Sequence, residues 1–283
     1  MQLRLVSHVN GDGDLLDAWF SYYMHLGVTS FHLIVHGPTE ENSRLYALKD
    51  SFPIFIEDAY GGAFHSEEKK LRLNALLRRL AGQWLLLVDS DEFVEFPYNT
   101  IAATIRAMQL VRRNALFAPM IQHLMHDGSL DTPDVVNDPF GTFPLCSVDL
   151  YQRMGVQAAI SKYPLFFCTE KTMLVDGGNH SCPIGNVTSS LQGATHHFKF
   201  RRSVPSRLDK RINSSHPWRH ESLKFGSYLD RSANRLPTEG SFMYSRKELF
   251  RRGLLRRLTL MTGVRHLQRV GSRILHASSL HGS

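Results

Sequence analysis

Apolar and polar positions recur with two different periods along the first hundred residues, and each switch of period marks an element. Leu3 to His8 alternates and then runs apolar, which predicts a first strand. Asn10-Gly11-Asp12-Gly13-Asp14 follows, a turn of residues that tolerate positive φ. Leu15, Leu16, Trp19, Phe20, Tyr23 and Met24 then recur at steps suited to one helical face, capped by Asp14 and stopped at Gly27. Ser30 to Val35 predicts a second strand, so the opening reads as a right-handed parallel βαβ unit. A short helix after Asn42, a strand at Pro53-Ile54-Phe55-Ile56 and a Ser66-capped helix through Leu71, Leu73, Leu76, Leu77 and Leu80 continue the alternation. Such alternation predicts an α/β fold of the nucleotide-binding type.

Gln83-Trp84-Leu85-Leu86-Leu87-Val88 is apolar on both faces, as a central strand covered on both sides would be. It ends in Asp89-Ser90-Asp91-Glu92-Phe93, placing carboxylates where open α/β sheets hold their ligands. On an extended strand Asp89 and Asp91 point the same way, and two such charges side by side call for a cation between them. A divalent metal held against a phosphate is the chemistry this pattern suggests.

After Pro97 the pattern changes. Ile101 to Val111 predicts a helix and Ala115 to Ile121 a strand, followed by an Asp-, Gly-, Pro- and Asn-rich loop from His123 to Phe143. Leu165-Phe166-Phe167, Met173-Leu174-Val175 and Thr195 to Phe200 read as three short strands. Helices dominate from Val204, with a polar linker around 236–240. Because His196 and His197 are neighbours on a strand, only one of them can face a site. Among the histidines His123, His126, His180, His196 and His197, only His123-x-x-His126 has the tight paired spacing of a zinc centre, which is too little for a closed site.

Charge sharpens the division of the chain. The net charge is +7, but nine cations from Arg246 to Arg273 stand against Glu248 alone, so the rest of the chain sums to −1. A nearly neutral body argues against nucleic-acid binding. The tail sets Phe250, Leu254, Leu258 and Met261 on one face among arginines, which predicts a basic amphipathic helical segment suited to peripheral membrane contact over 246–273. No apolar run reaches the roughly 20 residues of a transmembrane helix, and Met1 to Val6 lacks the apolar core of a signal peptide. Cys146, Cys168 and Cys182 show no C-x-x-C pairing and cannot all pair, so a cytoplasmic setting, with the tail at the inner face of a membrane, is expected.

Three segments together carry a resemblance: Asp14-Leu15-Leu16-Asp17-Ala18-Trp19, Tyr23-Met24-His25-Leu26-Gly27-Val28, and Trp84 to Phe93. They resemble the family 2-like glycosyltransferases of the GT-A fold, D-x-D-E-F subgroup, with a weaker echo at Lys162-Tyr163-Pro164, Gly178-Asn179-His180 and His197-Phe198. The resemblance implies a nucleotide-diphospho-sugar transferase-like mixed sheet with helices on both faces, to which the tail's own pattern adds a helical basic C-terminus. It implies a UDP- or GDP-linked sugar donor, a divalent cation (Mn²⁺ or Mg²⁺), and a glycan or lipid-linked acceptor whose hydroxyl takes the sugar with inversion. Asp89, Asp91 and His197 become the expected metal ligands, and His180 or Asp176 the expected base. Asn10, Asp12, Lys70, Asn74 and Asp89 are the expected donor contacts.

On this reading residues 1–235 form the catalytic domain, with a donor-binding half over 1–98 and an acceptor-side half over 99–235. Residues 236–283 form the tail. The segments Asn10–Asp14 and His36-Gly37-Pro38-Thr39-Glu40 depart from the family's acidic pattern where the nucleotide base and ribose would sit. Two other readings stay open: a non-catalytic GT-A-like binding module, and a sugar nucleotidyltransferase. The lack of a cation between Asn10 and Asp14 counts against the latter.

Overall fold

In this computed structural model, residues 2–98, 100–182, 191–213 and 218–245 are described. The first half alternates as expected: β1 (Arg4–Val9), α1 (Leu16–His25), β2 (Ser30–His36), α2 (Ser43–Leu48), β3 (Ile54–Tyr60), α3 (Ser66–Arg79) and β4 (Gln83–Leu87). Strand β1 pairs in parallel with β2 and β4, and β2 in parallel with β3. The second half adds β5 (Glu92–Glu95), α4 (Ile101–Leu110), β6 (Ala115–Leu124), α5 (Pro139–Thr142), β7 (Leu145–Ser147), α6 (Leu150–Arg153) and β8 (Ser161–Cys168). It ends with β9 (Ala194–His197), α7 (Val204–Ile212), α8 (Arg219–Arg231) and β10 (Phe242–Met243).

The sheet runs β10-β7-β6-β8-β4-β1-β2-β3, with β9 joining β5 to β6 off that path. Strand β8 lies antiparallel between β4 and β6, so the sheet is mixed. Period-two burial on β4 explains its central place. Trp84 and Leu86 join Leu5, Phe31 and Leu33 beneath Trp19, Phe20 and Tyr23 of α1. Leu85 and Leu87 join Val6 and Ile34 beneath Leu73, Leu76 and Leu77 of α3. Helices therefore cover both faces, and each fully buried leucine contributes about 1.5–3 kcal/mol. A third cluster packs Val204 and Leu208 of α7 against Phe225, Leu229, Phe200 and Leu150.

Several local expectations fail for identifiable reasons. Asp14 does not cap α1, because its carboxylate is taken by Arg201. Ser66 is the first residue of α3, with His65 extended before it and no side-chain cap. Met173-Leu174-Val175 is not a strand: Leu174 N donates to Asn74 Oδ1 at 2.7 Å and Asn74 Nδ2 donates to Leu174 O at 3.4 Å, so a side chain occupies the groups a ladder would use. Strand β3 continues past Ile56 to Tyr60, pairing Ala59 and Tyr60 with Val35 and His36.

The first compact unit runs to Met243. Residues 236–243 belong to it: Leu236 N donates to Gly128 O at 2.8 Å, and Phe242–Met243 pairs with β7. A second unit begins at Tyr244, and the basic helical tail expected over 246–273 lies outside the described residues. Among the described residues no helix is long and apolar enough to cross a membrane. Cys146, Cys168 and Cys182 are free thiols.

Candidate active site

The acidic end of β4 is a turn. The strand stops at Leu87, and Glu92 N donates back to Asp89 O at 3.1 Å. Asp89 and Asp91 therefore do not lie side by side on an extended strand; the turn directs them to different partners. Helix α1 fixes the turn's backbone. Trp19 Nε1 donates to the carbonyl oxygens of Asp89 and Glu92, both at 3.1 Å. Tyr23 Oη donates to Glu92 O at 2.9 Å and accepts from Val94 N at 3.0 Å, while Tyr22 Oη donates to Val94 O at 2.8 Å. The Asp89 carbonyl also accepts the Glu92 amide, and the indole and the two aromatic hydroxyls supply further partners to it and to the Glu92 and Val94 backbone groups.

Asp89 is held by two lysines. Its Oδ1 accepts from Lys69 Nζ at 2.8 Å and its Oδ2 from Lys162 Nζ at 2.6 Å. Lys162, 3% exposed, also lies 2.5 Å from Glu92 Oε1, and Glu92 Oε2 accepts from Asp89 N at 3.1 Å. Burial opposes charge on Asp89, yet Lys162 and Lys69 hold its carboxyl well below the usual range. Burial likewise works against the Lys162 ammonium, but Asp89 and Glu92 push it up. For Glu92 burial wins over Lys162, and its carboxyl is raised. The charge on Asp89, expected as a metal ligand, is thus relieved by ammonium groups on both oxygens.

Asp91 faces the opposite way. Strand β9 lies between β5 and β6, setting His197 opposite Glu92 and Gln122 in the two registers. His197 Nδ1 donates to Gln122 Oε1 at 2.9 Å, which leaves the Nε2 lone pair facing Asp91 Oδ2 at 3.4 Å. Two acceptors so placed need a proton or a cation between them. Burial would raise the Asp91 carboxyl, but His197 and then Arg201 hold it below its ordinary value. Donor atoms of Asp91, Glu92 and His197 all lie within 4.8 Å of one another. Carboxylate oxygen and one imidazole nitrogen fit Mn²⁺ or Mg²⁺. His196 points the other way, as alternation requires: its Nδ1 meets His123 Nε2 at 2.9 Å and its Nε2 meets Glu95 Oε2 at 3.2 Å.

Asp12 reinforces the same centre from the β1–α1 turn. Its Oδ2 accepts from Ser90 Oγ at 2.6 Å, and its Oδ1 accepts from Arg201 and Arg207. Arg201 is fully buried, also pairs with Asp14, and donates through Nε to Phe198 O at 2.6 Å. Asp12 is therefore a strut between two turns. Asn10 sits at the end of β1, its Nδ2 donating to His36 Nδ1 at 3.0 Å. Around it His8, His36, Tyr60 and Phe64 pack ring to ring at the ends of β1, β2 and beyond. Burial and then Lys69 push His8 down to about 3.

The remaining expected residues are turned elsewhere. Lys70 pairs with Glu67 on its own helix, and Asn74 holds the Leu174 backbone as described. Asp176 accepts three backbone amides, from Gly178, His180 and Ser181 at 2.9–3.0 Å. His180 Nδ1 donates to Ser161 O at 3.0 Å, and its ring packs where a Cβ on Gly178 would collide with it. The loop so built closes over Asp89 and Lys162, leaving a cavity of only about 10 Å³ beside His8 and Asn179. Sequence reasoning passed over Lys69, Lys162, Arg201 and Arg207 as site residues. Lys69 carried one signal: it stands four residues before Leu73 on the apolar face of α3.

No family model matches the chain, and no curated protein sequence matches it. Among solved structures it overlaps S. aureus TarS 1-349 in complex with UDP-GlcNAc at 11% identity and a TM-score of 0.32, over 85% of this chain and 75% of that one. It overlaps 4-diphosphocytidyl-2C-methyl-D-erythritol synthase from Anaerococcus prevotii at 11% identity and a TM-score of 0.33, over 81% of this chain and 96% of that one. Overlaps at these values carry no substrate or chemistry over to this chain.

Proposed function

We propose that the chain is a cation-dependent GT-A glycosyltransferase of the family 2-like type, moving a sugar from a UDP- or GDP-linked donor to an acceptor hydroxyl with inversion. The observation that carries this reading is Asp91 Oδ2 facing His197 Nε2 at 3.4 Å at the carboxyl end of β4. Asp91 and His197 would hold the cation, with Glu92 in reach. A bound divalent cation would supply Lewis acidity that neutralises charge on the leaving diphosphate.

The chain's own residues prepare that site. Gln122 fixes the His197 tautomer so that Nε2 presents a lone pair. Lys162 and Lys69 neutralise Asp89 and keep the turn in place. Arg201 ties Asp12, Asp14 and the carbonyl of Phe198 around it.

Of the two base candidates, His180 is the better supported. Its Nδ1 donates to Ser161 O, which leaves the lone pair on Nε2. Burial and then Lys162 lower it to about 4, which keeps it uncharged at neutral pH and also makes it a weaker base. Asp176 already accepts three amides, which hold its carboxyl below the ordinary value despite burial. Incubation with a panel of UDP- and GDP-sugars and Mn²⁺, read as thermal shift and donor hydrolysis, tests the reading. A Mn²⁺-dependent response to at least one donor supports it; silence across the panel sinks it.

A further inference from the structure

We propose that the loops at the amino ends of β4 and β6 and the carboxyl end of β8 form a docking surface for an anionic lipid bilayer. Leu110 and Val111 enter the headgroup layer, and the arginines around them meet the headgroups. The surface is independent of the transferase reading and separate from the basic tail.

Strand direction gathers this surface. Strand β8 runs antiparallel to β4, and β6 antiparallel to β8, so these three loop regions come to the same end of the strands. Two backbone bonds tie them together: Gly82 N donates to Cys168 O and Phe167 N to Asn114 O, both at 2.8 Å. The candidate active site stands at the other end of β4, five residues and so about 16 Å along the strand.

Helix α4 delivers the apolar pair. Ile101, Thr104, Ile105 and Met108 face the core, and Arg106 stands one turn before Leu110 on the outer side. Leu110 is 85% exposed and Val111 47%. Arg112 then takes a left-handed φ of 53°, and Arg113 N closes the turn on Met108 O at 2.9 Å. The chain reverses directly after the pair, which leaves two aliphatic side chains at the tip.

Cations surround that tip. Lys171 is exposed in the loop that leaves β8, where Glu170 is the acid present. Arg78 flanks the same loop, four residues after Asn74, whose side chain holds the Leu174 backbone. Among the described residues the side chains of Arg78, Arg106, Arg112, Arg113 and Lys171 make no hydrogen bond or ion pair. Arg79, beside them, turns to Glu57 instead. Five unanswered cations against Glu170 concentrate positive charge here, in a body whose net charge over residues 1–245 is −1.

The occupant follows from the two features together. Complementing the helix dipole accounts for arginines at the end of α4, but not for the aliphatic pair among them. A soluble polyanion would use the cations and leave Leu110 in water. An anionic bilayer uses both, with cations at headgroup level and aliphatic groups just beneath.

Sedimentation of the full chain with vesicles of phosphatidylserine and phosphatidylcholine, against phosphatidylcholine alone, tests the proposal. Wild type should bind the anionic vesicles, less tightly as salt rises. Arg106→Gln, Arg112→Gln and Arg113→Gln should each weaken binding about fivefold, and Leu110→Ser about tenfold. Unchanged melting temperatures would show that these variants fold, and their Mn²⁺ affinity should match wild type because the acidic turn lies at the other end of β4. Leu110→Ser should still elute from a heparin column with wild type, since its cations are intact. No binding of wild type to anionic vesicles would overturn the proposal. So would equal binding by the arginine variants, which would give the attachment to the tail. Wild-type vesicle binding by Leu110→Ser would overturn it too, by making the surface a site for a soluble polyanion.

Discussion

The indole Nε1 of Trp19 stands 3.1 Å from the carbonyl oxygen of Asp89 and 3.1 Å from that of Glu92. One donor on α1 thus closes a turn seventy residues away along the chain. Trp19→Phe keeps an aromatic ring in the core but takes one donor from each carbonyl, leaving only Glu92 N on Asp89 O and Tyr23 Oη on Glu92 O. The expected loss is about 1–3 kcal/mol in urea unfolding. Mn²⁺ affinity of the folded variant should fall as well, because the same turn carries Asp91. Wild-type Mn²⁺ affinity in this variant would break the link between α1 and the site.

Lys162 supports two buried carboxylates at once. Lys162→Met should cost about 3–5 kcal/mol, because Glu92, 1% exposed, would be left charged and unpaired. The sign with pH follows from Glu92, whose carboxyl burial already raises. A carboxyl raised in the folded state loses stability as pH climbs through its folded pKa. The variant should therefore be less handicapped at pH 5 than at pH 8, and adding Glu92→Gln should restore part of the loss at pH 8. Equal losses at both pH values would contradict this account.

What could be seen in the chain beforehand, and what could not, follows from how far the interactions reach. The β4 run and the α1 face were legible because each is a local period: Trp84 to Leu87 alternates between two cores, and Trp19, Phe20 and Tyr23 share one stripe. The acidic turn was legible as composition but not as shape. Extended spacing put Asp89 beside Asp91, and only the backbone bond from Glu92 to Asp89 separates them. Lys162 lies 73 residues from Asp89, and Arg201 lies 189 from Asp12, so no local pattern announces either pair. Asp176 and Asn74 looked chemical because of their residue types. Their side chains serve the backbone of the loop instead.

Gln122 orients His197 from the neighbouring strand through its 2.9 Å contact with Nδ1. Gln122→Leu removes that acceptor while keeping the volume roughly constant. Mn²⁺ affinity should fall by about 10–100-fold, as losing a partner of a metal-ligating histidine does. Gln122→Glu, which keeps an acceptor, should retain more of it. Titration calorimetry checks both, and equal affinities in wild type and Gln122→Leu would exclude the assigned role.

Acid sensitivity has a definite direction. His8 and His180 are lowered to about 3 and about 4, so between those values and about 6.5 the unfolded chain binds protons that the folded one does not. Stability should fall as pH drops from 6.5, by at most about 1.4 kcal/mol per pH unit for each histidine. Asp89 and Asp91 are lowered too; their contribution is present above the ordinary carboxylate value and is lost as pH falls through the lower folded values. His8→Gln should flatten the slope between pH 6.5 and 4.5 in denaturant midpoints. An unchanged slope would place the proton uptake elsewhere.

The central claim is that Asp91 and His197, not Asp89, hold the cation. Electron paramagnetic resonance of free Mn²⁺, titrated into wild type, Asp91→Asn, His197→Asn and Asp89→Asn, tests it most directly. The account predicts about a hundredfold weaker binding in Asp91→Asn and His197→Asn, and less than about a tenfold change in Asp89→Asn, whose oxygens face lysines. Wild-type affinity in Asp91→Asn, or a loss in Asp89→Asn as large as in Asp91→Asn, would contradict it.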